Sequence, residues 1–286
     1  MLAILFATIT YVTYGIGDVF GTIATRRINA YSTTLWSLLI GLFLATLAIP
    51  FVTFNVWLYS TPILFLNIFI GIIFVIGEVA FTEGLRIGKA SLVGTIGASH
   101  TSLAVILSLI FLNEPVTSVE ILVIILVIAG ILLSTINIGE IKKGNVLTKG
   151  SALALIAMVC WGLSIVLVKF PIRQVGWFLP VYVTLLTTPT LFIYMKLRGI
   201  KLELPNRNKA LLPILANGSM QRIGEFTLAL ALSYGATAIV APIAGSYPTL
   251  FAPLALFVFK DKITKQQLAG LCLTIIGIVL LSFFSS

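Results

Sequence analysis

Charge is the scarcest commodity in this chain. Of its 286 residues only 9% are Asp, Glu, Lys or Arg, against roughly 25% in an ordinary soluble domain. So few charges cannot cover the surface of a soluble protein of this length, which excludes a cytosolic enzyme and a disordered chain. A single histidine leaves no His cluster for a metal centre. The two cysteines, Cys160 and Cys272, lie inside apolar runs. They read as core thiols, not as a disulfide or metal pair, and a secreted disulfide scaffold is excluded. Long hydrophilic stretches are missing as well. The longest are Gly139–Gly150 and Arg198–Lys209, too short for a separate soluble domain.

What the chain has is apolar surface: 59% of it is hydrophobic. A helix needs about 20 apolar residues to span the hydrocarbon core. Ten runs qualify, at 3–25, 31–51, 62–84, 91–112, 119–138, 151–170, 177–197, 210–233, 237–259 and 267–284. Backbone polar groups cannot face lipid unpaired, so the expected fold is an all-α integral membrane bundle of ten transmembrane helices. The first run lacks a basic leader and contains Asp18, so it reads as a span rather than a signal peptide.

The net charge of +9 does not point to nucleic acid, because the basic residues cluster between the apolar runs. Fifteen of the 18 follow odd-numbered runs, as in Arg26-Arg27, Lys142-Lys143 and the stretch from Lys196 to Lys209. The positive-inside rule therefore places those connections in the cytoplasm and both termini outside. The expected location is the cell (plasma) membrane, with the lipid bilayer as partner.

The chain also repeats. A shift of 147 residues lays Gly15 on Gly162, Arg26 on Arg173, Gly77-Glu78 on Gly224-Glu225, Gly88 on Gly235, Ser99 on Ser246 and Gly130 on Gly277. Five helices per half is an odd number, so the second half must be inverted. The charges agree: the connection at 85–90 is basic while 232–237 is not, and 113–118 lacks the three lysines of 260–265. Two inverted five-helix repeats, 1–138 and 151–286 joined by a cytoplasmic linker at 139–150, form a transporter pattern with the substrate site near the midplane.

Several segments resemble the EamA-type transporters of the drug/metabolite transporter superfamily. They are Gly84-Leu85-Arg86-Ile87-Gly88-Lys89-Ala90-Ser91-Leu92-Val93, leading to Phe111-Leu112-Asn113-Glu114-Pro115. The second copy reads Ala231-Leu232-Ser233-Tyr234-Gly235-Ala236-Thr237-Ala238-Ile239-Val240-Ala241-Pro242-Ile243 and runs on to Phe259-Lys260-Asp261-Lys262-Ile263-Thr264. Trp161-Gly162 with Lys169 is similar to the start of a family repeat. The resemblance implies ten helices and export or exchange of small metabolites, and it names no substrate. It also implies cytoplasmic termini, against the charge distribution.

Ionisable groups inside a bundle are functional candidates by default. Asp18 and Glu78 each precede a basic boundary residue by eight positions, about 12 Å at a helical rise. Glu225, the repeat partner of Glu78, lies sixteen residues after Lys209, or about 24 Å, past the midplane. At least one of these acids is expected to take a proton or a cationic group alternately from either side. Arg222, three residues before Glu225, shares its helical face and supplies a structural alternative for that acid. His100 falls at midplane depth with Tyr247 as repeat partner, and Tyr14 and Trp161 form a second such pair. His100 could relay protons and the aromatics could wall a substrate, or all four could be packed core. Glu83 reads as an interfacial pair with Arg86. Glu114, Glu120, Lys260 and Asp261 read as loop or helix-end charges without function. Pro180 and Pro189 interrupt the run at 177–197, and Pro242, Pro248 and Pro253 the run at 237–259. The repeat partner of the latter, 91–112, has no proline but has Gly94 and Gly97, so the fourth and ninth helices are expected to line the pathway and bend.

These readings converge on a secondary transporter for a small organic metabolite, an amino acid or an amphipathic drug-like solute, working by alternating access with proton-coupled efflux as one form. It needs no cofactor and no metal, and a monomer can suffice. One alternative is an exchanger of an anionic metabolite anchored by Arg222 and Lys169. Another is an intramembrane enzyme on lipid-linked substrates, which would need a nucleophile or metal constellation that the spacing does not supply.

Overall fold

Lipid offers backbone amides no partner, and the computed structural model answers that constraint with helices throughout. The structure describes residues 1–87, 96–97, 99–135, 149–259 and 265–284. Most of the 139–150 linker, the Gly88–Val93 part of the first family segment and the stretch Lys260–Thr264 lie outside the described residues. Among the described residues there are thirteen α-helices and no strands. The first half gives α1 (Leu2–Thr25), α2 (Ala30–Ala48), α3 (Thr61–Ile87), α4 (His100–Phe111) and α5 (Ser118–Thr135). The second gives α6 (Lys149–Leu167), α7 (Lys169–Val175), α8 (Phe178–Leu186), α9 (Pro189–Leu197), α10 (Leu211–Tyr234), α11 (Thr237–Ala244), α12 (Pro248–Phe259) and α13 (Lys265–Phe284).

Local chemistry sets several of these ends. Asn29 caps α2 by accepting the Ser32 amide at 2.8 Å. At the start of α5 the Glu120 carboxylate accepts the Thr117 amide at 2.7 Å, while the Glu120 amide donates to the Thr117 hydroxyl at 3.3 Å. That reciprocal capping box accounts for one acid that the sequence left as a helix-end charge. Glu83 accepts a hydrogen bond from the Tyr31 hydroxyl.

Two of the five prolines in the runs at 177–197 and 237–259, Pro189 and Pro248, stand at breaks, while Pro180, Pro242 and Pro253 lie inside helices. The run at 177–197 divides at Thr187–Thr188, ahead of Pro189, into α8 and α9. There the Thr187 and Thr188 hydroxyls donate back to the carbonyls of Thr184 and Leu185 at 2.7 and 2.6 Å, a bond that bends helices. The run at 237–259 divides at Gly245–Tyr247, ahead of Pro248, into α11 and α12. The Ser246 amide turns to the Ile243 carbonyl at 3.2 Å, and its hydroxyl takes over the Pro242 carbonyl. The sixth run differs from expectation in extent. Helix continues through α7 to Val175, and Lys169 at its start is buried and partnered.

Five described stretches are long and apolar enough to cross a membrane: Leu2–Thr25, Ala30–Phe51, Thr61–Gly84, Lys149–Val175 and Phe178–Leu197. Shorter apolar helices cover His100–Phe111, Ser118–Leu133, Thr237–Phe251 and Leu268–Leu281. Helix α10 is as long as α1 but less apolar, since it carries Asn217, Gln221, Arg222 and Glu225. The most extensive packing joins α1 to α10, α3 to α6 and α5 to α13.

Small residues set these distances, as is usual between membrane helices. A side chain at Gly130 would place its Cβ 2.7 Å from the Thr274 amide nitrogen, and one at Gly277 would come 2.6 Å from Val127. Gly130→Leu therefore has to push α5 off α13, at about 1–3 kcal/mol for overpacking. Its melting temperature in detergent should fall by several degrees. Ala129→Leu, on the exposed neighbouring face, should leave it unchanged, and equal melting of the two variants would contradict this packing.

Candidate functional site

Helix α10 packs its amides and charges against α1 and α2, which supply most of the partners of its amides. The Asn217 side-chain amide donates to the Gly17 carbonyl at 2.8 Å, and its oxygen accepts from the Ser37 hydroxyl. One turn later, Gln221 Nε2 donates to Asp18 Oδ1 at 2.8 Å. Near the other end, the Thr10 hydroxyl reaches the Gly224 carbonyl at 3.2 Å and the Thr227 hydroxyl at 2.8 Å. Gly17 and Gly21 permit this approach: a Cβ on Gly17 would lie 3.2 Å from Gln221 Nε2, and one on Gly21 would lie 2.8 Å from Asn217 Nδ2.

This interface gathers most of the candidate residues. Arg222 is only 2% exposed and is paired with Glu225. Its guanidinium lies against α2, where a Cβ at Gly41 would come 2.5 Å from Nε. Among the described residues that Nε has no hydrogen-bond partner. Glu78, arriving from α3, lies within electrostatic reach of both Asp18 and Arg222. Tyr14 neighbours Arg222, Tyr247, Glu78 and Asp18. Six of the eight sequence candidates thus share one cluster, in which Arg222 pairs with Glu225 and lies within reach of Glu78, and Glu78 lies within reach of Asp18. Asp18 and Glu78 remain half-buried.

The other two candidates form a second group. Trp161 on α6 meets His100 at the start of α4 edge-to-face, with ring centroids 5.5 Å apart at 75°. Tyr14 meets Tyr247 in the same manner, at 5.7 Å and 85°. Trp161 lies over Gly77, where a Cβ would be 2.9 Å from its Nε1, and Tyr14 lies over Gly224. Every residue of one set is 147 positions from its counterpart in the other. Phe81 closes on Trp161 at 5.0 Å, and His100 Nδ1 donates to the Gly97 carbonyl at 2.9 Å. Gly77 and Glu78 are adjacent, which joins the two groups through α3.

Lys169 lies elsewhere. It contacts Glu114 at 3.4 Å, with both side chains buried, and donates to the carbonyls of Leu232 and Gly235 at the end of α10. Glu114 in turn accepts from the Thr237 hydroxyl at 3.1 Å and the Ala238 amide at 3.2 Å, which caps α11.

The model of the EamA-like transporter family matches residues 1–136 and 148–283. The chain belongs to the EamA-like transporter family. It is accordingly a multi-pass membrane protein of a transporter family. A solved structure described only as "Crystal structure of protein" superposes with a TM-score of 0.80 at 15% identity, over 99% of this chain and 96% of the other. That likeness speaks to fold alone. No curated protein matches the sequence.

For an EamA-like transporter the sequence pointed to charged and aromatic residues and passed over neutral amides. Asn217 and Gln221 are as deeply engaged as Asp18, and the signal was a polar stripe at 217, 221 and 225 on one helical face. Glu114, given no role from sequence, is the partner of Lys169. Its signal was a lone charge at a connection that lacks basic residues. Removing one member of a buried ion pair costs roughly 3–5 kcal/mol. Lys169→Met should therefore deplete folded, monodisperse protein in membrane extracts, and Lys169→Met with Glu114→Gln should recover part of it. Single and double variants extracting as well as wild type would contradict the anchoring role.

Proposed function

We propose that this EamA-like protein is a secondary transporter that moves a small organic metabolite, an amino acid or an amphipathic drug-like solute, by alternating access. Ten spans form two inverted five-helix repeats, 1–138 and 151–286, joined by the linker at 139–150. A monomer can suffice, in the cell membrane with both termini extracytoplasmic, and no cofactor is needed. What supports the inverted repeat is the packing. Under the 147-residue shift α1 maps to α6 and α3 to α10, so the α1–α10 and α3–α6 contacts exchange and α5–α13 maps onto itself. The two segments matched by the family model fall on the same halves. Such duplication gives inward-facing and outward-facing forms of similar energy.

The observation that carries the function is the charge imbalance at the centre. The cluster holds Asp18, Glu78 and Glu225 but one guanidinium, Arg222, which pairs with Glu225 and lies within electrostatic reach of Glu78, while Asp18 lies within reach of Glu78. An excess of carboxylate in a low-dielectric interior calls for protons or an ammonium group. Glu225 is held by Arg222. Glu78 and Asp18, half-buried, are the groups left to exchange a cation with the pathway. Lys169 is occupied by Glu114 and two carbonyls, so the anionic-exchanger alternative loses one of its two anchors.

Counterflow of a radiolabelled metabolite panel in proteoliposomes, with and without a pH gradient, tests this. We expect gradient-dependent flux without chemical conversion, and loss of the gradient dependence in Glu78→Gln. Equal flux with and without the gradient, untouched by the substitution, would reduce the acids to structure and leave a facilitative carrier. Product formation would make the protein an enzyme.

A further inference from the structure

At one end of the α1–α10 interface, outside the cluster just described, lies a cavity of about 480 Å³. Phe20 and Ile23 of α1 and Leu211 and Leu212 of α10 wall it, and Arg27 and Lys209 stand at its mouth. No acidic residue lines it. Leu212 is 74% exposed, so the groove opens at the perimeter of the bundle and not towards its centre. Its position at the end of α1, beside Arg26-Arg27, puts it where the hydrocarbon gives way to the headgroups.

The backbone at the mouth is built, not incidental. Lys209 adopts a left-handed conformation at φ 55, which a side-chain-bearing residue rarely takes and which persists only where its surroundings impose it. Its amide is tied to the Pro205 carbonyl, and Arg27 Nη1 donates to its carbonyl across the two helices at 2.5 Å. The strap brings two cationic residues to the start of a 24-residue helix, whose N-terminal end itself favours negative charge.

We infer that this groove is a binding site for an anionic phospholipid of the bilayer. One acyl chain lies along Phe20, Ile23 and the two leucines, and the headgroup phosphate rests between Arg27 and Lys209. Apolar walls select a lipid over a soluble anion, and the cations select an anionic headgroup over a zwitterionic one. The occupant bridges α1 and α10, the two helices that hold Asp18 and Arg222, so it fastens the interface on which the central cluster is built. The inference stands on the groove itself and not on the identity of the transported solute.

Native mass spectrometry of the purified full-length protein, titrated with phosphatidylglycerol or phosphatidylcholine of identical chains, tests it. Wild type should retain one phosphatidylglycerol in clear preference to phosphatidylcholine. Arg27→Gln with Lys209→Gln should lower that retention about tenfold or more, as expected when two cations act on one phosphate. Lys196→Gln with Lys201→Gln, which removes the same charge elsewhere on that side, should not. Ile23→Trp, filling the groove with its cations intact, should also abolish retention. Its added value is as a second route if the paired charge variant fails to fold. Equal retention of the two lipids by wild type would overturn the site. So would equal losses from the two charge-neutralised pairs, which would leave only diffuse attraction, or full retention in Ile23→Trp.

Discussion

A guanidinium inside a membrane bundle has neither water nor lipid to turn to, and the placement of Arg222 constrains the rest of this protein. Its charge needs Glu225 one turn along α10. Its bulk needs the bare backbone of α2 at Gly41. The amides that accompany it on α10 need the carbonyl of Gly17 and the carboxylate of Asp18 on α1. A helix carrying Asn217, Gln221, Arg222 and Glu225 would be a poor span alone, and it becomes one by being enclosed. Glycines at 17, 21, 41 and 224 are the condition for that enclosure, because each marks a place where a side chain would meet a polar group or a ring.

The same interface is held by contacts that are individually modest. Hydrogen bonds between membrane helices are worth about 0.6 kcal/mol each on average, so the α1–α10 contact is specific without being a weld. Lys169 and Glu114 are different. They join the end of α10 and the start of α11 through a buried ion pair and four hydrogen bonds to backbone or hydroxyl groups, a firm point beside the broken helix pair α11–α12. The proposed alternation needs this combination of firm ends, polar interfaces that can re-register, and helices already interrupted at Gly245–Tyr247 and Thr187–Thr188.

Much of this was legible in the sequence because lipid imposes simple rules. Apolar run length marked the helices, and proline marked the breaks at Pro189 and Pro248. The 147-residue spacing paired Tyr14 with Trp161 and His100 with Tyr247, and in space the pairs contact one another as Tyr14–Tyr247 and Trp161–His100. The partners across helices were not legible. Asn217 and Gln221 are neutral, so a search for ionisable groups passed them by. Their importance depends on Gly17 and Asp18, some 200 positions away in the chain. Lys169 seemed a candidate anchor because a buried lysine invites an anion. The anion proved to be Glu114, and nothing local to either residue says so. The role of Glu120 was hidden for the opposite reason. It is wholly local, a capping box with Thr117, and was set aside as a bare charge.

The central claim is that the half-buried cluster around Asp18, Glu78 and Tyr247 borders a pathway open in turn to each side of the membrane. The most direct test is thiol accessibility in Tyr247→Cys with Cys160 and Cys272 replaced by serine, in right-side-out and inside-out vesicles. A membrane-impermeant thiol reagent should reach position 247 from either side, more slowly when a transported solute is present. Modification from one side only, or from neither, would contradict the account.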